Sequence, residues 1–153
     1  MIKYKEGSVL DASETVIAHG CNCKGRMASG VAKAIREKWP HVYDTYKAHE
    51  EQFGLELGRL HMVYIGNGQR VANLITQESY GRDGKRYVDY DAIDSCFRTL
   101  NEALPEEASV AIPKIGAGLG GGDWTIIEAI INERMPARTV VCYEIVSNNT
   151  AHK

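Results

Sequence analysis

Two stretches of this chain carry residue types suited to holding a small anion. The first runs His19-Gly20-Cys21-Asn22-Cys23-Lys24-Gly25-Arg26-Met27-Ala28-Ser29-Gly30, after a β-branched run and before a helix-period segment that opens near Val31. Small residues at Ala28, Ser29 and Gly30 let backbone N–H groups approach a phosphate, and the following helix start adds free N–H groups and a positive dipole end. The second stretch, Gly116-Ala117-Gly118-Leu119-Gly120-Gly121-Gly122, repeats the arrangement after Pro113-Lys114-Ile115 and opens a helix at Asp123 or Trp124. So many glycines are costly in chain entropy, which implies a close backbone approach to something. Either loop alone could be a tight connection. Two of them at strand C-terminal ends in one small α/β unit suggest a cleft for a diphosphate, because ligands of open α/β sheets bind at that edge.

The side chains around these loops have competing readings. His19 ends its strand just before the first loop; it either points at a ligand and moves protons near neutral pH or packs beneath the loop on a backbone partner. Asp123 is either a general base beside the second loop or the N-cap of the next helix. Lys24, Ser29 and Lys114 could contact phosphate, although a serine there is usually a cap and a single lysine is usually solvated. Tyr80 could stack on a ligand from the polar loop Tyr80-Gly81-Arg82-Asp83-Gly84-Lys85-Arg86, which otherwise reads as a solvated connection. Trp124 reads as a core anchor, and Asp89 with Asp91 as a helix N-terminal pair. No metal ion and no cofactor is expected.

Gly116-x-Gly118-x-x-Gly121 also spells a dinucleotide fingerprint, with Glu144 near the spacing of a ribose-binding acid. Only one further strand follows it, so a doubly wound nucleotide domain cannot be completed there. An NAD-binding enzyme is the further alternative.

The elements that must position these loops follow from hydrophobic period. Strands are predicted near Ile2–Tyr4, Thr15–His19, Arg59–Ile65, Val71–Thr76, Ser109–Ile112 and Thr139–Ile145, and helices over Gly30–Lys38, Val42–Gln52, Tyr90–Leu104 and Trp124–Glu133. Pro40, Gly54 and Pro105 punctuate them. This alternation predicts an α/β sandwich, one domain over residues 1–146 with a flexible tail at 147–153.

With 153 residues, a net charge of −2 and 44% hydrophobic residues, the chain can bury one core and lacks the basic excess that long phosphate backbones select. General nucleic-acid binding is therefore not expected, nor is a membrane span or secretory leader; a cytoplasmic monomer is. Cys21, Cys23, Cys96 and Cys142 lack zinc-knuckle spacing and read as free thiols.

Taken together, Ala18-His19-Gly20-Cys21-Asn22-Cys23-Lys24-Gly25, Arg26-Met27-Ala28-Ser29-Gly30-Val31-Ala32, Leu74-Ile75-Thr76-Gln77 and Pro113-Lys114-Ile115-Gly116-Ala117-Gly118-Leu119 with Trp124 resemble the macrodomain family. The first segment is similar to the ADP-ribose 1''-phosphate phosphatases and the second to the terminal ADP-ribose protein glycohydrolases. The resemblance implies a three-layer α/β/α sandwich with a mixed, mostly parallel six-stranded sheet and ADP-ribose across the strand ends. By the same resemblance Asn22 binds the distal ribose hydroxyls; Cys21, Lys24, Ala28, Ser29, Gly30 and Val31 lie at the first phosphate loop; and Gly116, Ala117, Gly118, Leu119 and Gly120 form the second.

Ser8 holds the place of the family's adenine-binding aspartate. Gln77 and Gly120 replace the lysine and the acid of the glycohydrolase branch, so a lysine-linked covalent mechanism lacks both of its residues. The implied activity is hydrolysis at the distal ribose 1'' position, with Asn22 positioning the ribose and His19, or Asp123, moving a proton. The implied ligands are ADP-ribose, ADP-ribose 1''-phosphate or ADP-ribosylated macromolecules. The alternative is a reader that binds ADP-ribose without turnover.

Overall fold

In the computed structural model, which describes residues 1–145, six strands form one sheet in the order β1-β6-β5-β2-β4-β3. The strands are β1 (Lys3–Glu6), β2 (Val16–Asn22), β3 (Leu60–Gly66), β4 (Gln69–Gln77), β5 (Val110–Ile112) and β6 (Val140–Glu144). The helices are α1 (Gly30–Lys38), α2 (Pro40–Phe53), α3 (Tyr90–Ala103) and α4 (Trp124–Arg134). Every pairing is parallel except β3 with β4. The mixed, mostly parallel six-stranded sheet that the resemblance implies is therefore the one observed.

Strand alternation sorts the core into two layers. From β2 and β4, Val16, Ala18, Ala72 and Leu74 face α3 and α4, packing on Ile93, Phe97, Leu100, Ile127 and Ile131. Ile17, Cys21, Val71 and Ile75 face the opposite way, onto Ile35 of α1 and Val42 and Tyr46 of α2. Central strands covered on both faces read as near-continuous apolar runs, and β2 and β4 do.

The elements differ from the sequence expectation mainly at their ends. α2 begins at Pro40 rather than Val42, because a proline at the first helical position loses no intrahelical bond. A short 3-10 turn, Val9–Asp11, capped by the Ser8 hydroxyl on Leu10 N–H, was not foreseen. Trp124 is only half a core residue: it packs beside the α3/α4 layer and donates its Nε1–H to the Tyr4 hydroxyl at 2.8 Å. The tail expected at 147–153 lies outside the described residues. Among the described residues, no helix is long and apolar enough to cross a membrane.

The topology opens a crevice. β2 pairs with β5 only at Val16 and Ile17, while its pairing with β4 runs on to Asn22. Pro113 follows β5 at once and cannot donate to a ladder, so the two neighbours part. β2 then feeds α1 on one face and β5 feeds α4 on the other, which is a switch point of the kind where α/β sheets bind ligands.

Candidate functional site

A cleft of about 700 Å³ occupies this crevice, and both glycine loops and the 80–82 segment wall it. That volume suits a ligand of nucleotide size. Its walls hold three cations, Arg26, Arg82 and Lys114, and none of its lining residues is an Asp or Glu. In a chain with more acids than bases, this segregation favours an anionic ligand.

The first loop is organised by one side chain. Asn22, 8% exposed, accepts from Lys24 N–H at 2.9 Å and Arg26 N–H at 3.3 Å on its Oδ1 and donates from Nδ2 to the Arg26 carbonyl at 3.0 Å, while the Tyr46 hydroxyl donates to the Asn22 backbone carbonyl at 2.5 Å. This Asx-type clamp folds residues 22–26 back on themselves and leaves one amide N–H for a ligand.

The loop then delivers Ser29 to the N-cap position of α1, with its side chain making no capping bond. α3 and α4, in contrast, are capped by Asp89 and Asp123, which accept from Ala92 and Thr125 N–H at 2.9 Å each. The helix start that borders the cleft, like that of α2, carries no side-chain cap, which leaves its first N–H groups available to an anion. Gly30 carries φ +61° with open space where a Cβ would sit, a turn that suits glycine and keeps the approach clear.

The second loop is organised by its own backbone. Gly122 N–H donates to the Gly116 carbonyl at 2.7 Å and Gly121 N–H to that of Gly118 at 3.0 Å. The Gly120 carbonyl accepts from Tyr87 and Val88 N–H at 2.7 and 3.0 Å, tying the loop to the 80–88 segment. Gly121, at φ +72°, lies so close to Lys85 that a Cβ would collide with its carbonyl oxygen. Much of the glycine content therefore serves approach to the chain itself. The amides of Gly118, Leu119 and Gly120 donate to no protein acceptor among the described residues and remain for a ligand.

His19 takes the packed alternative. It is 1% exposed, and its Nε2–H donates to Asn73 Oδ1 at 2.6 Å, the residue opposite it in the β2–β4 register. The partner is a side chain rather than the backbone expected for a packed histidine. Burial lowers its pKa to about 4, and the bond to Asn73 opposes this only in part. The imidazole is neutral at pH 7 and its N–H is engaged, so it meets the cleft as a floor residue and not as a proton donor aimed at a ribose. Burial likewise pushes the Cys21 thiol well up, away from a nucleophilic thiolate.

Of the residues singled out in the sequence, His19, Cys21, Asn22, Ala28, Ser29, Gly30, Val31, Gln77, Tyr80, Lys114, Gly116, Gly118, Leu119 and Gly120 line the cleft. Ser8, Lys24, Ala117 and Asp123 do not: Ser8 and Asp123 act as caps. Gln77 donates to the Ser79 carbonyl at 2.8 Å, holding the 77–79 turn. Lys114 is paired with Glu144 at 2.9 Å, and that carboxylate holds its pKa up. Glu144 is accordingly engaged as the ion-pair partner of Lys114. Sequence reasoning passed over Gly20, Arg26, Ala32, Gly81, Arg82, Pro113 and Ile115 as lining residues. For the two arginines the only available signal was their position inside the loops.

Comparison with known proteins places this geometry. A family model described as Macro domain matches residues 18–131. The chain is 28% identical to an ADP-ribose 1''-phosphate phosphatase of Debaryomyces hansenii, over 87% of this chain and 93% of that protein. It is 29% identical to a DNA ADP-ribosyl glycohydrolase of Mycobacterium tuberculosis, over 84% of this chain but only 37% of that longer protein. A solved structure from Bacteroides thetaiotaomicron superimposes with a TM-score of 0.85 at 30% identity, covering 95% of this chain and 98% of that one.

Proposed function

The chain belongs to the macro domain family, and on that premise we propose that its cleft binds ADP-ribose and hydrolyses the bond at the distal ribose 1'' position, with ADP-ribose 1''-phosphate as substrate. The observation that carries this reading is the uncapped start of α1 and the unbonded amides of Gly118–Gly120 on one cleft that no carboxylate lines among the described residues. Amides presented from two sides suit a diphosphate. In this reading the diphosphate lies between the two loops and the distal ribose beside Asn22.

The choice of leaving group follows from what the cleft lacks. Among the described residues no carboxylate, the usual acid or base of glycosyl chemistry, lines its walls, and His19 is buried and neutral. A phosphate at an anomeric carbon departs as a stable anion and needs no proton donor. Here the C1''–O bond breaks with its electron pair going to phosphate, and water supplies the hydroxyl and releases a proton. The chain's part is positioning and N–H stabilisation of negative charge. A phosphatase among the relatives supports this reading.

A reader without turnover is the second reading, favoured by Gln77 and Gly120 standing where catalytic groups are expected. The test supplies ADP-ribose 1''-phosphate, protein mono-ADP-ribosylated on acidic side chains, and ADP-ribosylated DNA, and follows phosphate or ADP-ribose release with time. Release of phosphate from the first substrate is expected. Measurable ADP-ribose binding with no release from any of the three would establish the reader instead.

A further inference from the structure

We infer that Arg26 and Arg82 form a subsite for a second phosphate, one attached beyond the 1'' carbon of a bound ADP-ribose; this rests on the ADP-ribose reading above. The argument begins with a surplus of positive charge. Amides of the two loops already meet the diphosphate. Of the three cations on the cleft wall, Lys114 is neutralised by Glu144 at 2.9 Å, whereas Arg26 and Arg82 form no ion pair among the described residues.

The nearby acid is also engaged. Asp83 accepts from the Tyr87 hydroxyl at 2.8 Å and from Lys85 N–H at 3.2 Å, which holds its pKa down and leaves Arg82 without it. Arg86, on the same segment, stacks over the Tyr90 ring at 4.5 Å rather than entering the cleft.

Both arginines are carried on tethered backbone. Arg26 is clamped at its N–H and its carbonyl by Asn22, the residue placed at the distal ribose. Arg82 belongs to the segment that Tyr87 and Val88 fasten to the Gly120 carbonyl. Two guanidinium forks on the lining of one cleft match a tetrahedral oxyanion better than lysines would, since each can give two parallel N–H bonds. The shared chemistry is a phosphate ester. It is met either by the terminal 1''-phosphate or by a backbone phosphodiester of ADP-ribosylated nucleic acid.

The experiment measures, by calorimetry, ADP-ribose affinity for the wild type, R26A, R82A and R26K, with melting temperatures confirming that each is folded. Protein saturated with ADP-ribose is then titrated with inorganic phosphate in one arm and with a single-stranded DNA dodecamer in the other. Each alanine variant is expected to weaken the second titrant by about tenfold, R26K by less, and ADP-ribose itself by a clearly smaller factor than the second titrant. Loss in the phosphate arm alone assigns the subsite to a terminal phosphate; loss in the DNA arm assigns it to a phosphodiester. If neither titrant is weakened, or if ADP-ribose affinity falls by the same factor, the subsite is overturned. Failure of the wild type to bind ADP-ribose at all would instead overturn the reading on which it rests.

Discussion

The two loops of the cleft solve one problem by opposite means. In the first, a single side chain, Asn22, holds residues 22–26 with three hydrogen bonds, and the small residues beyond it stay open to the ligand. In the second, the backbone holds itself, and glycine is required because Gly116, Gly120 and the 80–88 segment press together without room for a Cβ. A loop held by one side chain loses its shape when that residue changes. A loop held by backbone contact fails where an added methyl group meets the chain, as it would at Gly116, Gly120, Gly121 and Gly122.

The sharpest way to break the comparison is a pair of glycine substitutions in the second loop. Gly121→Ala places a methyl against the Lys85 carbonyl in a left-handed conformation, and a loss of about 3 kcal/mol in urea unfolding is expected. At Gly118 nothing lies within 4 Å, so Gly118→Ala should change stability by less than about 1 kcal/mol while weakening ligand binding.

A comparable effect comes from pH. His19 titrates near 4 when folded and near 6.5 when unfolded, so its contribution is complete above 6.5 and fades as the pH falls toward 4. The unfolded chain takes up the proton first, which predicts a loss of about 3 kcal/mol across that window, absent from His19→Gln. Denaturation curves at pH 7, 5.5 and 4.5 check the slope. An unchanged slope in the variant would return His19 to the solvent-facing role.

Asn22→Ala should cost about 2 kcal/mol and at least about tenfold in ADP-ribose affinity, since several loop groups lose their partner together. A variant that keeps full affinity would show that the first loop does not depend on its clamp. The smallest effect separates the helix starts. Asp123→Ala should lose about 1 kcal/mol of cap energy, and Ser29→Ala less than about 0.5 kcal/mol, because only the aspartate caps its helix. Thermal melts of the two variants suffice.

The sequence carried the architecture because its signals are local and periodic: α1 falls at Gly30–Lys38 as the pattern predicts, and β2 and β4 declare themselves as buried runs. The two loops were legible as well, since glycine is a strong backbone signal. What was not legible depends on partners distant in the chain. His19 meets Asn73, 54 residues away, through strand register. Ser29 has the identity of a cap and leaves its helix uncapped. Arg26 and Arg82 look like solvated surface arginines until the fold brings both into the lining of one cleft.

The central claim is that the cleft receives ADP-ribose as a whole, with the diphosphate on the amides of both loops and the distal ribose beside Asn22. Calorimetry of ADP-ribose against AMP on the wild-type protein tests it most directly, because AMP lacks the second phosphate and the distal ribose. Binding of ADP-ribose tighter by about tenfold or more is predicted, one added charge-assisted hydrogen bond being enough for that. Equal affinities would mean that only the nucleotide half is held and that the distal side of the cleft is not a site.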